Sequence, residues 1–415
     1  MREAIILAGG FGTRLRESVP DLPKVLAPVA GRPFISYVID HLRRQGVQDF
    51  VFSLGYKADV IVQFLENEYP TLQYKTVIED EPLGTGGGIQ LAVKAATKDH
   101  VLIANGDTLF DVDLDELYRV HLHNNAACTL ALKPLTNFER YGVVTVGPGS
   151  EITSFQEKKF YPQGLINGGI YLLHKQEVLQ RALPDKFSFE SGYLEQFVAE
   201  RKFYGSIQDK YFIDIGVPAD FRQANEDFRR TELNLTEVNR SWTLFLDRDG
   251  VINEEKLGQY VLNWSEFIFS EGVLENFKIL SKLFGRIFLV TNQRGVTKGL
   301  MTEEDLSDIH REMQAEIAKA GGHLDKIYYC TNKDNRCFHR KPNPGMAFDA
   351  KKDFPETEFS RAIMVGNKPS DMRFGRSAGM FTVFITSTNP NQPFPHPDID
   401  LVFASLADFA LALQP

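Results

Sequence analysis

Short apolar runs alternate along this chain with longer stretches whose apolar residues recur at helical spacing, and the alternation begins twice. Residues 4–8 read as a buried strand, 34–44 as an amphipathic helix, 50–54 as a strand, 59–68 as a helix and 101–105 as a strand. Parallel strands need a long crossover, usually a helix, so this order predicts an α/β fold with a mainly parallel sheet. After residue 240 the pattern restarts with apolar runs at 243–246, 286–291, 326–330 and 362–365, each followed by polar or glycine-rich sequence. A second sheet is therefore expected. Residues 221–240 are polar and charged, which predicts a closing helix and then a linker. The domains are placed at 1–232 and 242–415, with the linker over 233–241.

Length agrees with this division, since 415 residues exceed what one hydrophobic core usually serves. Hydrophobic residues at 43% and charged residues at 24% are ordinary globular values, and no apolar run is long enough to span a bilayer. The apolar start is broken by Gly9-Gly10 too soon for a signal peptide, so a cytoplasmic location is expected. Three cysteines (Cys128, Cys330, Cys337) make no disulfide framework. A net charge of -9 opposes generic attraction to nucleic acid, so no nucleic-acid partner is expected and any phosphate recognition must be local.

Directly after the first strand stands Gly9-Gly10-Phe11-Gly12-Thr13-Arg14-Leu15, and Pro23-Lys24 follows an irregular stretch. Glycines let backbone N–H groups turn toward an anion, while Arg14 and Lys24 can neutralise a triphosphate. A Walker loop needs Gly-Lys-Ser/Thr at the helix start, and a dinucleotide fingerprint needs a third glycine where Leu15 stands, so neither fits. A merely tight strand-to-helix turn would leave the two cations unexplained.

On these residues the first part of the chain resembles the nucleotide-diphosphate-sugar pyrophosphorylase family. Gly84, Thr85 and Gly86, in Glu81 through Gly87, resemble its nucleoside-contacting loop, and Asp107 in Asn105-Gly106-Asp107 its metal-binding turn. Tyr141-Gly142, Glu157-Lys158 and Asn167-Gly168-Gly169 resemble its sugar-phosphate contacts, and Asp214 its second metal carboxylate. The resemblance implies a Rossmann-like mixed sheet and attack of a sugar-1-phosphate oxygen on the α-phosphorus of a nucleoside triphosphate. Gly9, Gly10, Gly12 and Thr13 would hold phosphate, and Asp107 and Asp214 would hold Mg²⁺ from the carboxyl edge of one sheet. Lys24, with Arg14, would stabilise the transition state and the leaving pyrophosphate, and Lys158 the incoming phosphate. Taken singly, each of these residues has a bland reading as a turn, cap or surface charge; their joint order favours the site.

In the second half, strand 243–246 runs into Asp247-Arg248-Asp249-Gly250. Carboxylates two residues apart on extended backbone face one side, which suits a nucleophile beside a general acid/base. An EF-hand would need helices on both sides and further oxygen ligands, whereas an apolar strand leads in here. The pattern resembles the haloacid dehalogenase superfamily, with Asp247 as nucleophile, Asp249 as acid/base, Thr291 and Lys341 on the phosphoryl group, and Asn367 where its metal-binding aspartate belongs. Asp247, Asp249 and Asn367 would then be the Mg²⁺ ligands.

Thr291-Asn292-Gln293 and Arg340-Lys341-Pro342 narrow the resemblance to the heptose-bisphosphate and histidinol phosphatase subfamily, and imply that Asn292 and Arg340 contact substrate. The spacing 291 − 247 = 44 leaves no room for a large cap, so a capless Rossmannoid sheet and an open site are expected. Cys330, Cys337 and His339 supply three zinc ligands where a closed structural site takes four, so a zinc-free loop is expected. Together the resemblances imply that the phosphatase removes the 7-phosphate of D-glycero-D-manno-heptose 1,7-bisphosphate. The nucleotidyltransferase would then transfer a nucleotidyl group, GMP from GTP by preference, to the heptose 1-phosphate. The alternatives are a uridylyltransferase for an N-acetylated sugar-1-phosphate and, from another class, a scaffold of degenerate enzyme domains.

Overall fold

The computed structural model describes residues 2–10, 15, 19, 22–229 and 232–414, so Gly12, Thr13 and Arg14 lie outside the described residues. It divides into two compact units, Met1–Arg230 and Thr231–Pro415.

In the first unit a seven-stranded sheet runs in the order Phe203–Ile207, Cys128–Phe138, Tyr161–His174, His100–Asn105, Arg2–Ala8, Val47–Leu54, Gln73–Ile78. Alternation along its central strands sends Ala4, Ile6, Phe50, Phe52, Leu102 and Ala104 into one core and Ile5, Val51 and Ile103 into another. Both faces are covered, and for that reason these strands read as continuous apolar runs. The helix Phe34–Arg44 buries Phe34, Ile35, Val38, Ile39 and Leu42 on one face. It stops at Gly46, whose φ of +82° suits glycine and whose N–H donates to Arg43 O at 3.0 Å.

Tyr161–His174 departs from a mainly parallel sheet, since it lies antiparallel to both neighbours. Its Pro162, Gly164, Gly168 and Gly169 carry turn chemistry in sequence; the structure absorbs part of it in a register shift between Asn167 and Tyr171. From Arg2–Ala8 the chain passes to Val47–Leu54 on one side and later returns to His100–Asn105 on the other. The carboxyl end of Arg2–Ala8 is thus a topological switch point, where open α/β sheets bind ligands.

The second unit is a six-stranded, wholly parallel sheet in the order Lys326–Cys330, Arg286–Asn292, Thr243–Leu246, Ala362–Gly366, Phe381–Ile385, Leu401–Phe403. Leu244, Leu246, Ile287, Leu289, Ile363 and Val365 face one core, and Phe245, Phe288, Val290 and Met364 the other. Asp247 leaves the central strand at this sheet's own switch point. Between it and Thr291 the regular elements are the short turn Trp264–Glu266 and the helix Val273–Leu283. The segment read as a linker is not free, because Leu233 and Val238 are buried in the second unit's core. No helix among the described residues is long and apolar enough to cross a membrane.

At the amino end of His100–Asn105, the edge away from the switch point, three histidines meet. His100 Nδ1 lies 3.0 Å from His121 Nε2, His121 Nδ1 lies 2.9 Å from Thr129 Oγ1, and the His100 and His174 rings stack at 5.1 Å. Burial first, then the His100 and His174 charges, push His121 down to about 3. In the unfolded chain it titrates near 6.5, so below that pH the unfolded state takes up a proton that the fold refuses. Stability should therefore fall as pH drops from about 6.5 toward 3, by at most about 1.4 kcal/mol per pH unit from this residue. Thermal unfolding of His121→Gln between about pH 7 and 5 should show a shallower loss than the parent, and an unchanged slope would assign the proton uptake elsewhere.

Candidate active sites

In the first unit, Asp107 sits in the turn after His100–Asn105, and the chain re-enters extended structure as Thr108–Phe110. That short strand pairs antiparallel with Phe212–Asp214, placing Asp214 opposite Thr108. Both carboxylates were expected on one sheet edge; Asp214 instead reaches the site from this separate two-stranded sheet, because three residues after Asp107 suffice to recruit it. Lys24 Nζ lies between them, paired with Asp107 and 3.6 Å from Asp214 Oδ1. Burial, then Asp107, raises the Asp214 carboxyl above its usual range against the pull of Lys24. Gly216 is required here, since a Cβ on it would stand 2.8 Å from both Lys24 Nζ and Asp214 Oδ1.

Two cavities open beside this triad, one lined by Asp107 and the other by Asp214. One, of about 320 Å³, is lined by Gly9, Gly10, Ser53, Glu79, Gly84, Thr85 and Asp107 among others. The other, of about 480 Å³, holds Tyr141, Gly142, Glu157, Lys158, Asn167, Gly169, Glu190 and Asp214, and Asn105 lines both. Gly84, Thr85 and Gly86 form the first turn of the helix Gly84–Ala95 rather than a loop. Gly86 serves packing: its N–H donates to Phe187 O at 2.9 Å, and a Cβ there would strike the Phe187 ring.

Sequence reasoning missed Ser53, Glu79 and Glu190. Glu79 Oε2 accepts from Leu83 N at 3.0 Å and so fixes the turn before that helix. Glu190 accepts from Thr85 Oγ1 at 3.1 Å and Tyr171 OH at 3.4 Å, linking the two cavities. No spacing in the sequence connects Thr85 with Glu190.

In the second unit, Lys341 Nζ lies 2.8 Å from Asp247 Oδ1 and 2.8 Å from Asp371 Oδ1, with all three side chains buried. Burial pushes the Asp247 carboxyl up to about 6 despite Lys341, with Asp371 adding to the rise. Burial alone would depress the Lys341 ammonium, but Asp247 and Asp371 hold it above its usual range. Burial would likewise raise Asp249, yet Arg248, Asn253 and Gln293 hold it below the usual carboxylate range. Its oxygens accept from Arg248 Nη2 at 3.1 Å, Asn253 Nδ2 at 3.1 Å and Gln293 Nε2 at 2.9 Å. With that side chain engaged, the backbone carbonyl is the Asp249 oxygen left to consider for a cation.

Thr291 Oγ1 accepts from Gln293 Nε2 at 2.9 Å, so Gln293, which the sequence reading passed over, joins Thr291 to Asp249. Asn292 is a strap: its side chain donates to Lys341 O at 3.0 Å and accepts from Lys341 N at 3.1 Å. Arg340 is mostly buried, and its Nη1 donates to Asn332 O at 3.2 Å, so part of the guanidinium braces its own loop. In that loop Cys330 and Cys337 Sγ stand 4.0 Å apart, and His339 pairs with Asp349. Among the described residues no group of three or more His, Cys, Asp or Glu side chains is arranged to hold a metal ion.

A mixed sheet with paired carboxylates and a lysine at its switch point defines a nucleotidyltransferase, and residues 3–231 match the nucleotidyl transferase family model. The chain belongs to that family. A HAD-hydrolase-like model matches residues 338–409, and the chain is thus an enzyme whose nucleotidyltransferase unit is followed by a unit with a HAD-hydrolase-like segment. Over 227 residues it is 45% identical to the D-glycero-alpha-D-manno-heptose 1-phosphate guanylyltransferase of Aneurinibacillus thermoaerophilus, covering 55% of this chain and 98% of that protein. The Campylobacter jejuni protein of the same name is 44% identical over 53% of this chain and 96% of its own length. A crystal structure of HddC from Yersinia pseudotuberculosis, 35% identical, superposes with a TM-score of 0.51 over 55% of this chain and 100% of that one.

Removing Lys341 leaves two buried carboxylates without a counter-charge, the costly way to break a buried ion pair, at about 3–5 kcal/mol. Lys341→Met should destabilise the second unit by that order in chemical denaturation, and Lys341→Met with Asp371→Asn should recover part of the loss. No recovery in the double variant would show that the lysine does not serve to balance that pair.

Proposed function

We propose that the chain runs two consecutive steps of nucleotide-activated heptose synthesis. The second unit removes the 7-phosphate of D-glycero-D-manno-heptose 1,7-bisphosphate, and the first transfers GMP from GTP to the heptose 1-phosphate. The observation that carries this reading is that two cavities share Asn105 and are lined one by Asp107 and the other by Asp214, the carboxylates that flank Lys24, a layout that suits two phosphate-bearing ligands end to end. Similarity to two heptose 1-phosphate guanylyltransferases over nearly their whole length supports the choice of base and sugar.

In the first unit a sugar-phosphate oxygen attacks the α-phosphorus and pyrophosphate leaves; no protein nucleophile is needed. Hard carboxylate oxygens on Asp107 and Asp214 suit Mg²⁺, which when bound supplies positive charge against the phosphates. Lys24 supplies a fixed cation at the same place, and Lys158 lines the sugar cavity as a counter-charge for the incoming phosphate. In the second unit Asp247 attacks the phosphomonoester phosphorus, and Lys341 and Thr291 brace the transferred group; Asp249, the acid/base, must first gain a proton against the pull of Arg248, Asn253 and Gln293, gives it to the leaving oxygen and later takes one from water. Asp247 and the Asn367 carbonyl offer the oxygens that would hold Mg²⁺ there. Arg340, next to Lys341 and with part of its guanidinium bracing its own loop, is assigned to the distal phosphate.

Purified protein assayed with four nucleoside triphosphates against several sugar-1-phosphates should release pyrophosphate fastest with GTP and heptose 1-phosphate. A preference for UTP and an N-acetylated sugar would replace this reading with the uridylyltransferase one. Asp247→Asn should abolish phosphate release and leave pyrophosphate release nearly intact, whereas Asp107→Ala should do the reverse. Loss of both activities from either change, with folding preserved, would contradict independent sites. Lys24→Ala should raise the nucleotidyl-transfer barrier by about 3–4 kcal/mol, read as kcat/KM, the order found when one transition-state charge contact is lost.

A further inference from the structure

We infer that Glu255 is a positioning residue for the Asn367 amide, and that the two are a matched pair in which the negative charge missing at 367 is carried at 255. The inference rests on the Mg²⁺ reading of the second unit and deepens it.

Asn367 is fully buried, and its Nδ2 donates to Glu255 Oε2 at 2.9 Å and to Thr388 Oγ1 at 2.6 Å. An ionised carboxylate only accepts, so Nδ2 must face Glu255 and the orientation of the amide is settled by its partners. Oδ1 is thereby turned the other way, and it is buried without a hydrogen-bond partner. The amide lies against the Asp249-Gly250 backbone: Gly250 has φ +84°, and a Cβ on it would stand 2.1 Å from Asn367 Nδ2. Asp247 N donates to Val365 O at 3.0 Å, which seats the nucleophile loop beside the end of the strand that carries Asn367. An orphaned buried carbonyl is unfavourable unless something occupies it, and beside Asp247 a hard cation is the fitting occupant.

Glu255 is held in turn by Lys368, whose Nζ lies 2.6 Å from Oε1. An aspartate at 367 would turn a carboxylate oxygen toward Glu255 Oε2, and two carboxylates sharing a site cannot both ionise readily. A carboxylate at 367 therefore helps the cation only after the charge at 255 is removed.

The test is titration calorimetry with MgCl₂ on the full chain carrying Asp107→Ala, which silences the first unit's acid pair, with Asp247→Asn added as the blank for the second site. Glu255→Gln should weaken Mg²⁺ binding by roughly 5- to 15-fold, the order of the difference between a hydrogen bond to a charged and to a neutral acceptor. Asn367→Asp alone should bind Mg²⁺ no tighter than the parent, yet the same change added to Glu255→Gln should tighten it. If Glu255→Gln fails to fold, Glu255→Asp, which withdraws the carboxylate by one methylene, must weaken binding in its place. Equal tightening by Asn367→Asp in both backgrounds overturns the pairing while leaving the metal reading intact. If the Asp247→Asn blank binds Mg²⁺ as the parent does, the metal reading fails and the inference with it.

Discussion

Two carboxylates held a few ångströms apart repel each other strongly unless a cation stands between them, and each unit meets that constraint with a single lysine. Lys24 lies between Asp107 and Asp214, and Lys341 between Asp247 and Asp371. The second triad is buried and the first is half-open, which fits what each must do. A buried ammonium keeps Asp247 and Asp371 compatible in a region water does not screen. At the half-open triad the two carboxylates line different cavities, Asp107 the one and Asp214 the other, with Lys24 between them.

Around these triads the folds supply what charge alone cannot. In both sheets the chain reverses its direction of growth beside the strand that feeds the site, so a crevice opens there without any cavity being carved from the core. The residues flanking each triad are tied to one another more than to open space. Glu190 joins Thr85 to Tyr171, and Gln293 joins Thr291 to Asp249. Such ties fix side chains before a ligand arrives, which lowers the ordering cost of binding.

Much of this was legible in the chain. Strands covered on both faces announce themselves as unbroken apolar runs, and 243–246 and 362–365 fall in Thr243–Leu246 and Ala362–Gly366. Lys24, Asp107 and Asp214 were found by motif order, although Asp214 arrives by a different strand pairing from the one expected. What could not be read depends on contacts between positions far apart in sequence. Glu190 reaches Thr85 from far along the chain, and Asn292, which looks like a substrate contact beside Thr291, is consumed by the backbone of Lys341. The strand Tyr161–His174 was hidden for the opposite reason, because its glycines and proline imitate a turn.

That strand is built in two parts. Residues 170–174 are zipped between two neighbours, whereas residues 161–167 pair with the outer end of Cys128–Phe138 and meet the other side through the isolated bridge of Ile166 to Val143. The irregularity between Asn167 and Tyr171 acts as a clutch: a change of length or twist in the outer part need not be transmitted to the inner part. Glu157 and Lys158 enter this outer part, Tyr141 and Gly142 lie across from it, and Asn167 ends it. The surface proposed to meet the sugar is thus a strand pair mounted on the core rather than a piece of the core, and natural variation can reshape it for a ligand of different size while the Lys24 triad stays where it is.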